Sequence, residues 1–158
     1  MTRHDSILSS DAPVHSIDVY LSQDGTLALR KALGMPPGEI IAEVKRSSLR
    51  GRGGAGFPTG MKWETVAQNP CPTEYLVCNG AEGEPGTFKD RFLLRNNPYQ
   101  LLEGMAIAGH AVGVRAAYLC LKKSFETEIA SVRRAHDELT AAGLLGSIPI
   151  EPILGPED

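Results

Sequence analysis

The chain has 158 residues, of which 42% are hydrophobic and 22% charged, and a formal net charge of −3. These values are normal for one globular domain with a real core, and no basic face indicates a nucleic-acid partner. The N-terminal residues lack the apolar core of a signal peptide, and no apolar stretch is long enough to span a bilayer. We therefore expect a cytoplasmic protein that does not insert directly into a membrane.

The first third of the chain predicts a lead, two helices and a loop. Residues 1–16 are polar and without periodicity, which predicts a flexible lead. Helices are predicted near Thr26–Leu33 and near Gly38–Ser47, where apolar residues recur at helical spacing. The run GRGGAGFPTG at Gly51–Gly60 then predicts a loop, because a regular element does not tolerate so many glycines.

The remainder predicts strands alternating with helices. Such an order implies right-handed parallel crossovers, so we predict an α/β fold with a Rossmann-like parallel sheet and flanking helices. No helix is predicted after the last strand, and the sheet is therefore expected to be incomplete at its C-terminal end. The predicted elements are a buried strand Glu74–Asn79, a loop Gly80–Arg91, a helix Pro98–Gly113, a strand Arg115–Leu121, a helix from an N-cap at Ser124 to Gly143, and a strand Ile148–Leu154.

The glycine-rich loop has the residue types of an anion site. Gly51, Gly53 and Gly56 match the spacing of the dinucleotide fingerprint, but they follow a predicted helix instead of a strand, which disfavours an ordinary Rossmann site. Glycines nevertheless let backbone N–H groups approach a phosphate or a flat ring, and Arg52 and Lys62 add positive charge.

Phe57 leaves two interpretations of this loop open. Its ring offers a stacking surface for an aromatic base, and Pro58 would stiffen that surface. Alternatively, the segment is a structural Ω-loop whose phenylalanine points into the core. Composition alone does not choose between a ligand site and a structural loop.

A second loop follows the predicted strand at Glu74–Asn79 and is rich in polar groups. Ligands bind at the carboxyl ends of strands in open α/β sheets, and amide and carboxylate oxygens accept hydrogen bonds from sugar or ribityl hydroxyls. The alternative is a solvated turn in which the acids pair with neighbouring bases, and each such surface pair contributes about 0–1 kcal/mol. The polar residues are Asn79, Glu82, Glu84, Lys89, Asp90 and Arg91.

Other chemistry is weakly represented. Cys71, Cys78 and Cys120 form no CxxC pair, so they predict neither a disulfide framework nor an iron–sulfur site, and the two in strand-like runs are expected to be buried and inert. His110 and His136 have no partner at metal-ligand spacing. No metal site and no catalytic side chain of a hydrolase is predicted.

The two loops together resemble a known family. The runs SLRGRGGAGFPTGMKW at Ser48–Trp63 and CNGAEGEPGTFKDR at Cys78–Arg91 are similar to the flavoprotein subunit of NADH:quinone oxidoreductase (complex I) and to related hydrogenase and formate dehydrogenase diaphorase subunits. The resemblance extends over Ile17–Leu154. It implies binding of FMN and NADH, hydride transfer from NADH to FMN, and electron transfer to iron–sulfur centres, with the flavin carrying the chemistry.

The resemblance also implies roles for individual residues and partners. Glycines of the first loop, with Arg52 and Lys62 beside them, would contact the flavin or a nucleotide phosphate, and Phe57 would stack against the nicotinamide nucleotide. Other subunits of an electron-transfer complex, or a chain that completes the domain, are the implied protein partners. The implied cofactor-binding residues are Gly51, Arg52, Gly53, Gly54, Gly56, Phe57, Lys62, Asn79, Glu82 and Glu84.

Three departures qualify this expectation. Ala81 stands where the respiratory subunits usually have an aspartate, and Thr65 stands where several relatives have an aromatic residue. The family also continues beyond Leu154 with a GEE-containing loop, a ubiquitin-like domain and a helical domain that binds a [4Fe–4S] cluster. We therefore expect residues 17–158 to be a partial FMN- and NADH-binding domain without that cluster; a non-catalytic relic or interaction module that binds flavin weakly or not at all is the alternative.

Overall fold

A computed structural model of the chain describes residues 12–155. Most of the predicted lead, residues 1–16, lies outside the described residues. In the described part of the lead, Val14 is fully buried. In the described part of the chain, no helix is long and apolar enough to cross a membrane. The helices are α1 Ile17–Ser22, α2 Leu27–Leu33, α3 Pro37–Arg46, α4 Thr59–Gln68, α5 Lys89–Asn96, α6 Pro98–Val112 and α7 Glu126–Ala141, and the strands are β1 Tyr75–Asn79, β2 Ala116–Lys122 and β3 Ile150–Gly155.

The strands form a parallel sheet in the order β1-β2-β3. Tyr75 pairs with Ala116, and Ala117 pairs with Ile150, so that the carboxyl ends of the strands lie at one edge of the sheet. Parallel neighbours need crossovers, and here α5 with α6 and then α7 supply them. The predicted α/β fold with a parallel sheet and flanking helices is confirmed.

The two faces of the sheet have different environments. On one face, Leu119 and Leu121 of β2 are 1% exposed and belong to the main core, beneath α6 and α7. On the other face, Tyr75 and Val77 of β1 are 54% and 64% exposed. The prediction that β1 is a buried strand is therefore wrong. An apolar sequence does not reveal whether one or both faces of a strand are covered, because strands of both kinds are rich in β-branched and aromatic residues.

Helix α6 is the central support of the fold. Its boundaries agree with the predicted span, since Pro98 begins the helix and Gly113 ends it in the left-handed conformation. The side chain of Asn97, which was not predicted as a cap, accepts a hydrogen bond from Gln100 N. Helix α6 contacts all three strands and α2 to α5 and α7. Helices α3 and α4, which flank the glycine-rich loop, are thus held on the same element as β1.

A buried carboxylate on α6 fixes the first two helices. Glu103 is 6% exposed and accepts hydrogen bonds from Thr26 N and Leu29 N at 2.9 Å each. It also accepts one from the hydroxyl of Tyr20. Burial, followed by this contact with Glu103, raises the pKa of Tyr20 well above its ordinary value. The amides at the start of α2 are therefore satisfied by a side chain from a distant part of the sequence.

Several predicted boundaries need correction. Helices α1, α4 and α5 were not predicted, and the predicted loops at 51–60 and 80–91 are too long because α4 starts at Thr59 and α5 at Lys89. Helix α7 has Phe125, not Ser124, at its N-cap position. Gly143 does follow the last turn of α7 with a φ of 67°. On α7, Ala135 is fully buried and His136 is only half-buried.

Candidate functional site

The glycine-rich loop between α3 and α4 is closed at its base. Arg50 and Pro58 form an antiparallel bridge, with Gly51 N donating to Phe57 O at 2.9 Å and Thr59 N donating to Leu49 O at 2.8 Å. Inside the loop, Nη1 of Arg50 donates to the carbonyl of Gly56 at 3.0 Å. Residues 51–57 are thus held in a defined turn. The bracing role of Arg50 was not predicted, although a basic residue directly before the glycine run is a visible signal.

The glycines of this loop do not all serve the same purpose. Gly54 and Gly56 have φ values of 99° and 60°, which favour glycine over any residue with a side chain. Gly53 has no positive φ, and a Cβ added to it would meet no atom within 4 Å. Neither backbone conformation nor packing within the described fold requires glycine at position 53. A ligand that approaches the backbone closely would require it.

Positive charge lies next to this open backbone. A Cβ on Gly51 would be 2.9 Å from Nζ of Lys62, so the absence of a side chain makes room for the ammonium group. Lys62 and Arg52 are both exposed. Within residues 12–155, neither forms an ion pair with a carboxylate. Their charges are available to an anionic ligand.

The ring of Phe57 lies at the surface. It is 49% exposed, which rules out the interpretation of a core-directed phenylalanine. The loop does have the closed base expected of an Ω-loop. An exposed aromatic ring on a braced loop offers a face for stacking against a planar group.

The second loop continues from the carboxyl end of β1. Gly80 N donates to Cys120 O at 2.9 Å, which keeps the chain beside β2 for one more residue. Asn79 then accepts a hydrogen bond from Ala81 N through Oδ1 at 3.0 Å. Further on, Thr87 N donates to Glu84 O at 3.2 Å across a turn in which Gly86 has a φ of 80°. The Pro85-Gly86 pair at the centre is typical of a type II turn.

The two glutamates of this loop have opposite environments. Glu84 is exposed, whereas the Glu82 side chain is only 1% exposed and forms an ion pair with Arg91 at 3.1 Å. Burial alone would raise the pKa of Glu82, but hydrogen bonds from Asp90 N and from Arg91 outweigh it and lower that pKa. Lys89 pairs with Asp90 at 2.8 Å. The predicted alternative, acids paired with neighbouring bases, thus describes some of these residues but not Glu84.

An apolar groove of about 480 Å³ lies between the helices that follow the two loops. The groove is lined by residues of α4, β1, α5 and α6, among them Trp63, Val77, Cys78, Leu93 and Met105. Burial raises the pKa of the Cys78 thiol to about 11. Among the described residues, no hydrogen bond or ion pair joins the two loops directly. Instead, α4, which follows the first loop, and α5, which follows the second, line the same groove.

These features define a class of protein. Among the described residues, a parallel α/β sheet, a glycine loop with open backbone and basic side chains that pair with no carboxylate, and polar groups at the carboxyl end of a strand are components expected of a site for a phosphate-bearing cofactor. Within residues 12–155, no cluster of His, Cys, Asp and Glu side chains is arranged to hold a metal.

The chain belongs to the Nuo51 FMN-binding domain family, which matches residues 44–155. The predicted resemblance and the prediction of FMN as cofactor are thereby confirmed. Both predicted loops lie inside the matched range.

Sequence relatives agree with this assignment. The chain is 49% identical over 133 residues to an NADH-quinone oxidoreductase subunit from Aquifex aeolicus, covering 84% of this chain and 31% of that protein. It is 43% identical over 131 residues to the HndC subunit of the NADP-reducing hydrogenase of Solidesulfovibrio fructosivorans, covering 83% of this chain and 26% of that one.

The fold also matches a solved structure. An NAD⁺-reducing [NiFe]-hydrogenase in the H₂-reduced state aligns with a TM-score of 0.76 and 35% identity, covering 91% of this chain and 26% of the hydrogenase chain. The chain therefore spans less than a third of the length of these relatives.

Proposed function

We propose that this chain forms part of the FMN site of an electron-input flavoprotein that is reduced by NADH and delivers electrons to iron–sulfur centres. The observation that carries this proposal is the combination of an open backbone at Gly53 with the exposed cations Arg52 and Lys62 beside the same loop. A bound FMN would explain it, because close approach of a phosphate or an isoalloxazine edge to the backbone excludes a side chain. When bound, FMN supplies the capacity to accept a hydride and release single electrons.

Binding and orientation are the tasks of the residues in the glycine-rich loop. Backbone N–H groups around Gly53, Gly54 and Gly56 would face the phosphate or the flavin edge, Gly51 would leave room for Lys62, and Lys62 and Arg52 would neutralise negative charge. Braced by Arg50, the loop needs little reorganisation to do so. The exposed ring of Phe57 would stack against the nicotinamide nucleotide.

The acidic loop would orient the polyol part of the cofactor. Glu84 is exposed and ionisable, and Asn79 presents an amide at the carboxyl end of β1. Both can accept hydrogen bonds from ribityl hydroxyls. We also propose that other subunits of an electron-transfer complex contact the chain, since the relatives are named as subunits of a quinone oxidoreductase and of a hydrogenase.

Titration with FMN and with riboflavin tests this proposal. The chain should quench the fluorescence of FMN and shift its visible spectrum, and it should bind riboflavin more weakly, because riboflavin lacks the phosphate that the basic loop would recognise. A folded chain that leaves the FMN spectrum unchanged, or that binds riboflavin equally well, would contradict the proposed site.

Ala81 favours a second candidate function, a non-catalytic module with weak flavin binding. The family resemblance implies a carboxylate at this position, and the methyl group here cannot accept a hydrogen bond from a flavin hydroxyl. The substitution Ala81→Asp distinguishes the two candidates. If the site is otherwise intact, the aspartate should strengthen FMN binding by roughly threefold to tenfold, the effect of one further hydrogen bond. An unchanged absence of binding in both variants would favour the module.

A further inference from the structure

The side chain of Glu82 is buried, unlike the exposed carboxylate of Glu84. The carboxylate of Glu82 is almost completely enclosed, with 1% of the side chain exposed. Oε1 accepts a hydrogen bond from Asp90 N at 2.7 Å, and Oε2 accepts from Arg91 N at 3.3 Å and from Arg91 Nε at 3.1 Å. Both oxygens are therefore occupied by partners from the start of α5.

These contacts supply a helix cap that the local sequence does not. Phe88 occupies the N-cap position of α5, and no side-chain hydrogen bond is made there. Glu82 satisfies two of the free amides of the first turn, and its negative charge also lies at the favourable end of the helix dipole. Because Glu82 and Asp90 are eight residues apart, the same contacts close the intervening loop onto α5.

The backbone of Glu82 shows that the contacts hold it in place. Its φ is 38°, in the left-handed region that a residue with a side chain rarely adopts. Such a conformation persists only when surrounding interactions determine it. On the far side, the guanidinium of Arg91 lies 5.5 Å from the centroid of the Phe125 ring, so the partner of Glu82 is itself anchored next to α7.

We propose that Glu82 is a positioning residue: it fastens residues 83–88 to the start of α5 and thereby sets the direction of Glu84, without contacting the cofactor itself. This inference rests on the proposed function for its consequence, since the fixed position of Glu84 matters for binding FMN. The closure of the loop is a property of the chain alone and can be measured without FMN.

Hydrogen–deuterium exchange of the FMN-free chain, followed by FMN titration, tests the proposal. In Glu82→Gln, a neutral amide replaces the carboxylate and one acceptor oxygen is lost. Within residues 83–91, amide exchange at Thr87, Asp90 and Arg91, whose N–H groups are hydrogen-bonded in the closed loop, should increase by about tenfold or more, because charge-assisted hydrogen bonds no longer hold the segment closed. FMN binding should weaken with it by a similar factor.

Glu84→Gln is the matched control. It removes a carboxylate from the same loop, but an exposed one that is bound to no helix terminus, so it should weaken FMN binding and leave exchange in residues 83–91 at the wild-type level. Arg91→Gln provides a milder disruption, since Glu82 keeps both amide contacts. Its exchange should lie between those of the wild type and Glu82→Gln, which keeps the test valid if Glu82→Gln does not fold.

The possible outcomes distinguish the closure of the loop by Glu82 from the effect of that closure on FMN binding. Wild-type exchange rates in a folded Glu82→Gln or in Arg91→Gln would overturn the closure role. Faster exchange with unchanged FMN affinity would overturn the link between closure and binding. A wild-type chain that does not bind FMN would overturn the proposed function and the positioning role with it, while the exchange data would still decide whether Glu82 holds the loop.

Discussion

The glycine-rich loop and the acidic loop reach a defined shape by different means. The first is braced at its base by the Arg50–Pro58 bridge and leaves its central glycines facing open space. The second is fastened by one of its own side chains, Glu82, to the helix that follows it. Within residues 12–155, the basic side chains of the first loop pair with no carboxylate, whereas the second loop uses the charge of Glu82 to hold its own structure.

This difference shows which residues of a motif are explained by folding. Gly54, Gly56 and Glu82 have roles that backbone angles and hydrogen bonds account for. The missing side chain of Gly53 and the exposed carboxylate of Glu84 have no such role in the described fold, and we propose that a ligand accounts for both.

A side chain at position 53 should abolish most of the FMN binding. Gly53→Val would place two methyl groups where the cofactor is proposed to meet the backbone, and we expect affinity to fall by about 100-fold, or about 2.7 kcal/mol. The free energy of unfolding should change by less than about 0.5 kcal/mol, since a Cβ at this exposed position meets open space. FMN fluorescence titration and urea unfolding measure the two quantities.

Gly38 provides the control for that substitution. It lies exposed in α3, and a Cβ there would also meet nothing within 4 Å. Gly38→Ala should leave FMN affinity unchanged. Equal losses of affinity in both variants would break the distinction between ligand-facing and ordinary glycines.

Gly60 should behave in the opposite way to Gly53. It lies in the first turn of α4, where that helix meets α3, and a Cβ there would lie 2.6 Å from Lys45 N. Gly60→Ala should therefore destabilise the fold by about 1–3 kcal/mol, the usual effect of overpacking. Urea unfolding of the FMN-free chain measures this. A fully stable Gly60→Ala would mean that α3 and α4 do not approach each other as described.

Replacing Lys62 should produce a smaller effect that depends on the phosphate. In Lys62→Met, loss of a cation near the loop should weaken FMN binding by about tenfold, corresponding to one charge-assisted hydrogen bond. Riboflavin, which has no phosphate, should bind with unchanged affinity. A matching loss for both flavins would assign Lys62 to the ring instead of the phosphate.

The smallest expected effect is on the pH dependence of stability. Burial alone would raise the pKa of Glu82, but hydrogen bonds from Asp90 N and Arg91, with the positive charge of Arg91, outweigh it and lower that pKa in the folded state. Such a group stabilises the fold above its unfolded pKa, about 4.3 for a glutamate, and this contribution disappears as the pH falls through the folded value. The wild type should be more stable than Glu82→Gln at neutral pH, and the two unfolding curves should converge in acid. A difference that persists at low pH would mean that the charge of Glu82 is not what holds the loop.

Much of the architecture could be predicted from local signals. Helix α6 has its first-turn proline and its terminal glycine, and β2 and β3 have apolar runs at the expected spacing. Helix α5 could not be predicted in the same way, because its cap is supplied by Glu82 from outside the segment. The exposure of β1 depends on which of its faces packs against the core, which strand composition does not reveal.

The candidate site was likewise only partly predictable from the sequence. Residue types and spacing were sufficient to identify both loops, since glycines, basic side chains and carboxylates have recognisable chemistry. They were not sufficient to separate Glu82 from Glu84, two glutamates only two positions apart in one motif. That separation depends on the direction of the chain at Glu82 and on the turn at Glu84–Thr87, and both require the fold.

The central claim is that the open glycine-rich loop and the free part of the acidic loop bind FMN. Amide chemical shifts of the ¹⁵N-labelled chain, recorded during FMN titration, test it most directly. We predict saturable shifts in residues 51–57 and at Asn79 and Glu84, with Gly38 and Gly60 unaffected. Shifts confined to other parts of the chain, or a folded chain without saturable shifts, would contradict this account.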